Sequence, residues 1–181
     1  QEEIFGPVVS VTTFDDDEAL LEAKRQWASA RDGVQRVELH VNPRWLRVCD
    51  IKAPRGGLEL KFSYGFLAAM VLTGIDTSTE SAYTDGLCGD ASLCQLAQRV
   101  TVIGDGRVSD TATCATITLA DGSRIETSHD LAVRLPPEAI SRRLRAKAEG
   151  LLGAKAAGRL WAAIEEIDGM SARELAAHLN G

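Results

Sequence analysis

A chain of 181 residues with 45% hydrophobic side chains can bury a sizeable core, which excludes a disordered chain. A net charge of -6 and a pI near 5.1 leave no basic excess to neutralise phosphates, which argues against a nucleic-acid partner. The longest apolar run is too short to span a bilayer, and no secretory or lipidation signal is expected. A cytoplasmic protein with no membrane partner is expected.

The first stretch, QEEIFGPVVSVTTFDDDEALLEA, reads as a strand leading into a helix. Val8, Val9, Val11 and Phe14 are strand formers, and Pro7 sets where regular pairing begins. The acidic cluster Asp15 to Glu18 suits a helix N-terminus, where negative charge meets the helix dipole. Residues 1–23 resemble the EEIFGPV segment of NAD(P)-dependent aldehyde dehydrogenases. That resemblance implies Glu3 at a nicotinamide ribose and Phe5 near the nicotinamide. It ends by about Ala23, and no dinucleotide-binding domain follows, so no cofactor is expected.

Glu18 to Ala30 continues as helix, with Leu20, Leu21 and Trp27 available for burial, until Asp32-Gly33 breaks it. Val34 to Val41 alternates Val37, Leu39 and Val41 with Arg36, Glu38 and His40, which is the pattern of a half-buried strand. His40 falls on its polar face and is expected to be solvated.

Gly56 to Gly74, GGLELKFSYGFLAAMVLTG, is the most distinctive stretch. Phe62, Phe66, Ala69 or Met70, and Thr73 recur at helical spacing, and Gly74 stands where a C-terminal cap glycine belongs. The spacing predicts a buried core helix over Phe62 to Leu72. Charge occurs only at its entrance, at Glu59 and Lys61, with Ser63 beside them. An ammonium there opposes the helix dipole, which singles out Lys61 as a carboxylate-binding candidate. A salt bridge to Glu59 or elsewhere in the domain is the competing reading.

After Gly74, IDTSTESAYTDGLC reads as a polar loop. Asp90 to Val100 reads as a short helix, and Arg99 to Val108 and Thr113 to Ser128 as strands. Asp121-Gly122 predicts a two-residue hairpin turn, and Asp105-Gly106 a second. The last third is helical, with Pro136-Pro137 at its start. Ile140, Leu144, Leu151 and Leu152 form one apolar set; Leu160, Trp161, Ile164 and Ile167 form another. The basic run SRRLRAK reads as a solvated face, and Ser171 to Glu174 as a capping box.

The order of a VELHV strand, PRWLRVCDI, and then P-x-G-G-L-E-x-K-F-S before an alanine-rich helix resembles the second domain of the MmgE/PrpD, or 2-methylcitrate dehydratase, family. The resemblance implies an α+β fold: a small antiparallel sheet packed by helices, followed by a helical C-terminal region. Three segments are expected: 1–23, dehydrogenase-like; 24–135, the α+β lid domain; and 136–181, the C-terminal helices. In this family a helical first domain precedes the lid and carries the histidines that move protons. A lysine in a K-P-Y-P-like segment helps to bind substrate, and it has no counterpart here.

The family's reactions are eliminations, a decarboxylation or an epimerisation of small di- and tricarboxylates such as 2-methylcitrate or cis-aconitate. They use no cofactor, and its members commonly form homodimers. The matchable positions are Glu59, Lys61, Ser63, Arg44 and Trp45; Lys61, Ser63, Arg44 and Trp45 are the substrate-binding candidates, with Lys61 first and Arg44 and Arg55 secondary, and no catalytic residue is assigned. A lyase or isomerase fragment inactive on its own is expected. The alternatives are a non-catalytic fused or truncated product that dimerises, or a remnant of an aldehyde dehydrogenase.

Cys49, Cys88, Cys94 and Cys114 match no zinc or redox spacing, and reduced, partly buried thiols are expected. His40, His129 and His178 are too scattered for a metal site, and none is proposed.

Overall fold

A computed structural model describes residues 33–77 and 80–179, with side chains as far as residue 177. The dehydrogenase-like segment and the helix expected over Glu18 to Ala30 lie outside the described residues. The chain divides into two compact units, Gln1–Arg134 and Leu135–Gly181.

The first unit is α+β, as the family resemblance implied. Strand β1 (Val34–Val41) leads into a 3-10 turn (Pro43–Trp45) and the short helices α1 (Leu46–Cys49) and α2 (Gly57–Leu60). Helix α3 (Tyr64–Leu72) and helix α4 (Ala91–Gln98) follow, and then β2 (Val100–Gly104), β3 (Ala112–Leu119) and β4 (Arg124–Asp130). The strand order is β2-β1-β3-β4. β3 pairs antiparallel with both β1 and β4, whereas β1 and β2 run parallel. The sheet is therefore mostly antiparallel with one parallel edge, because the helices from Asn42 to Arg99 return the chain to the end where β1 began.

The alternation read for β1 is realised. Val37, Leu39 and Val41 stand opposite Ile117, Ala115 and Thr113, and all six are buried. His40 and Glu38 take the other face. Helix α3 lies among these core residues and is buried on nearly every side, from Tyr64 and Phe66 through Met70 to Leu72. This explains why its apolar residues carry no polar stripe.

The helix expected over Phe62 to Leu72 is realised as α3, beginning at Tyr64, and a bend at Lys61 to Ser63 separates it from the short α2 that precedes it. Ser63 has extended backbone and is the N-cap of α3, its hydroxyl accepting from the Phe66 N–H. Asp50 and Ser63 form an isolated antiparallel bridge, and the Ile51 N–H donates to the Phe62 carbonyl at 3.0 Å. The bend thus exchanges helical bonds for a tie to the end of α1. The C-terminus follows expectation: Gly74 has φ +78°, its N–H donates to the Val71 carbonyl, and the Ile75 N–H donates to the Met70 carbonyl. These two bonds make a Schellman cap.

Both expected hairpin turns differ in detail. The β3–β4 turn has positive φ only at Gly122, while the Gly122 N–H donates to Leu119 and the Leu119 N–H to Ser123. This is a three-residue loop closed by a left-handed glycine, since the two-residue form needs positive φ at Asp121 as well. Asp105-Gly106 is no hairpin, because β2 and β3 are not neighbours. Instead Asp105 starts a connection across the end of β1, with its N–H donating to the Val41 carbonyl at 2.9 Å.

The second unit consists of α5 (Pro137–Leu152), α6 (Ala154–Glu165) and α7 (Ala172–Leu179). Gly153, at φ +79°, makes the turn between the first two. Arg145 of the basic run bonds Glu165 at 2.8 Å and lies 4.8 Å over the Trp161 ring, so this cation is engaged within the unit. The capping box is present, with the Ser171 N–H donating to Glu174 at 2.8 Å.

Candidate functional site

Lys61 is held by the loop that follows α3. It sits at the C-terminal cap of α2, two residues before the cap of α3, so the dipole argument that singled it out does not apply. Its Nζ lies 3.2 Å from a Glu80 carboxylate oxygen and 5.1 Å from the centre of the Tyr83 ring. The Lys61 side chain is 33% exposed and that of Glu80 79%. Of the two readings, Lys61 does make a salt bridge, but with Glu80 rather than Glu59. Glu59 is occupied by Arg55, whose guanidinium and backbone N–H both donate to it and hold its carboxyl below the usual range.

The loop that carries Glu80 and Tyr83 is fixed from below. Gly57, the first residue of α2, donates its N–H to the Asp85 carboxylate at 2.7 Å. A Cβ on Gly57 would fall 2.0 Å from the Tyr83 carbonyl oxygen, so the two backbones approach as only glycine permits. The Tyr83 hydroxyl donates to the Thr77 carbonyl at 2.8 Å. Burial pushes the Tyr83 phenol above its ordinary value, which keeps it a neutral donor.

Ser63 is 1% exposed, and its hydroxyl donates to the Ile51 carbonyl at 2.6 Å while accepting from Phe66. Its position serves the bend that carries Lys61. Replacing it by alanine is expected to cost about 1–2 kcal/mol, through the lost cap and an unbonded Ile51 carbonyl, as read by urea denaturation. Unchanged stability would show that the hydroxyl is free for another role. Beneath the same bend lies Tyr64, whose phenol is pushed upward by burial, with Cys49 and Asp50 adding to the shift.

Arg44 and Trp45 form a different cluster, at the end of β1. Arg44 donates to Asp110 at 2.7 Å and stacks 4.9 Å over Trp45, while the indole N–H donates to the Asp110 carbonyl. Arg55 is exposed and paired with Glu59. The partners of Arg44 and Trp45 are thus wholly distinct from those of Lys61. The sequence reading missed Glu80, Tyr83 and Asp85, which frame Lys61. Their segment reads as a polar loop, and no local spacing signals which of its side chains turns inward.

His40 faces Asp105 at 3.5 Å, and Asp105 also accepts two bonds from the Arg107 guanidinium. Arg107 holds that carboxyl well below its ordinary range. Among the described residues no group of three or more His, Cys, Asp or Glu side chains is placed to hold a metal. All four cysteines are free thiols: Cys49 is buried, the others half-buried. The second unit has its own small cavity of about 120 Å³, lined by Arg145, Glu149, Gly158, Trp161 and Glu165 among others. No helix of the described residues is long and apolar enough to cross a membrane.

A mostly antiparallel sheet covered by a buried helix, with Lys61 at the bend that leads into that helix, defines an α+β module. The family model for the MmgE/PrpD C-terminal domain matches residues 17–167, and the chain belongs to the MmgE/PrpD family. A search of curated proteins gives no match.

Proposed function

We propose that this chain is the lid portion of a cofactor-independent lyase or isomerase acting on small di- or tricarboxylates, of the 2-methylcitrate or cis-aconitate type. The observation that carries the reading is the family match over residues 17–167, which includes the whole Lys61 segment. Lys61 is the principal carboxylate-binding residue. Its ammonium is oriented by the Tyr83 ring and half-exposed, which suits an anion arriving from solvent. Arg44, stacked on Trp45, offers a second, more exposed cation. Ser63 contributes by setting the bend that carries Lys61.

Proton transfer needs an acid and a base near the reacting carbon. His40 on β1 is engaged with Asp105 rather than with the Lys61 cluster, and the proton-moving groups are assigned to the helical first domain that precedes the lid in this family. The isolated chain therefore binds carboxylates without turning them over. It works in the cytoplasm, as a homodimer.

Citrate, used as a tricarboxylate probe and titrated calorimetrically into the purified chain, tests this reading. Binding that is weakened at least several-fold by Lys61→Gln is expected, with no dehydration of 2-methylcitrate by the chain alone. Citrate binding indifferent to Lys61→Gln would overturn the site, and turnover by the chain alone would overturn the division of labour.

A further inference from the structure

We propose that Glu80 is an internal occupant of the Lys61 carboxylate position, displaced when a substrate carboxylate arrives. The proposal rests on the reading of Lys61 as a carboxylate-binding residue and adds a competitor to it. Three observations support it.

The first is the contact itself. Lys61 and Glu80 stand 3.2 Å apart, whereas Arg44–Asp110 and Lys52–Asp50 close to 2.7 Å and Arg55–Glu59 to 2.8 Å. Charge-assisted bonds of full strength have the shorter distance. The second is the asymmetry of exposure, 33% for Lys61 against 79% for Glu80. Water already solvates most of the glutamate, so releasing it costs little desolvation.

The third is that the two sides of the cation are held differently. Tyr83 is fixed through its hydroxyl on Thr77 and through its carbonyl against Gly57. Glu80 begins a short 3-10 turn of three residues, Glu80–Ala82, and its carboxylate accepts from Lys61. An incoming anion can replace Glu80 while Lys61 keeps its seat over the ring. A di- or tricarboxylate has the advantage in this exchange, because it brings more negative charge than one glutamate side chain. Glu80 thus sets a threshold that favours multiply charged anions over single carboxylates.

The test is a double-mutant cycle on the full chain, with citrate as the probe and circular dichroism confirming that each variant is folded. Glu80→Gln keeps the side-chain length and removes the charge. It is expected to tighten citrate binding by about 1.4- to 5-fold, the range set by exposed ion pairs. In a Lys61→Gln background the same substitution is expected to change nothing. Equal affinity of wild type and Glu80→Gln would overturn the proposal. So would a gain that persists without Lys61, since that is general relief of negative charge. Loss of citrate binding in Lys61→Gln without any gain in Glu80→Gln sinks this inference alone. Binding unaffected by Lys61→Gln sinks the carboxylate reading, and this proposal with it.

Discussion

Gly57→Ala is expected to destabilise the first unit by about 3 kcal/mol, near the upper end of what overpacking costs. The added methyl would stand 2.0 Å from the Tyr83 carbonyl oxygen and 2.8 Å from its carbon. Both are backbone atoms, so no side-chain rotation relieves the clash. Either α2 or the loop through Tyr83 must move, and the bond from the Gly57 N–H to Asp85 weakens with it. For a chain of this size the loss corresponds to a fall in melting temperature of roughly 6–12 °C, read by scanning calorimetry. A shift below about 2 °C would mean that the loop does not lie against α2. The position of Lys61 over Tyr83 would then need another support.

Ile117→Ala is the second large effect, at about 4 kcal/mol. Ile117 is fully buried and stands between Val37 on β1 and Ile125 on β4, at the middle of the sheet's packed face. Removing three methyl or methylene carbons there loses their transfer energy and leaves a cavity that rigid strands close poorly. Thr118 is its neighbour in sequence but faces the other side, and Thr118→Ala is expected to change stability by no more than about 0.5 kcal/mol. Urea denaturation of both variants reads the contrast. Equal effects would contradict the assignment of faces.

The features legible in the sequence are those written in short-range spacing. The alternation of Val37, Leu39 and Val41 gives β1, the apolar run before Gly74 gives α3 and its cap, and Ser171 with Glu174 gives the start of α7. What the spacing concealed depends on partners far along the chain. The parallel pairing of β1 with β2 depends on how many residues return the chain, and Asp105-Gly106 looks like any hairpin turn until the strand order is known. The division between α2 and α3 is concealed for a similar reason. A continuous apolar run hides the bridge from Asp50 that makes Ser63 a cap.

The site was legible to the same degree. Lys61 stands out as charge at the edge of an apolar run, but Glu80 and Tyr83 reach it across a loop. Opposition to a helix dipole does not apply to Lys61, because the bend places it at the C-terminal cap of α2. Its half-exposed seat on an aromatic ring distinguishes it instead.

The strand order also bears on how the chain is made. β1 is interior, yet both of its neighbours are encoded after Arg99. During synthesis Val34–Val41 leaves the ribosome with neither hydrogen-bonding edge satisfied, and it waits while the whole stretch through α4 is added. Local helices form in microseconds, but pairing across such separations is slow. The nascent protein therefore carries an open apolar strand through much of its translation. Its yield in the cell will depend on whatever shields Val37, Leu39 and Val41 until β2 and β3 arrive.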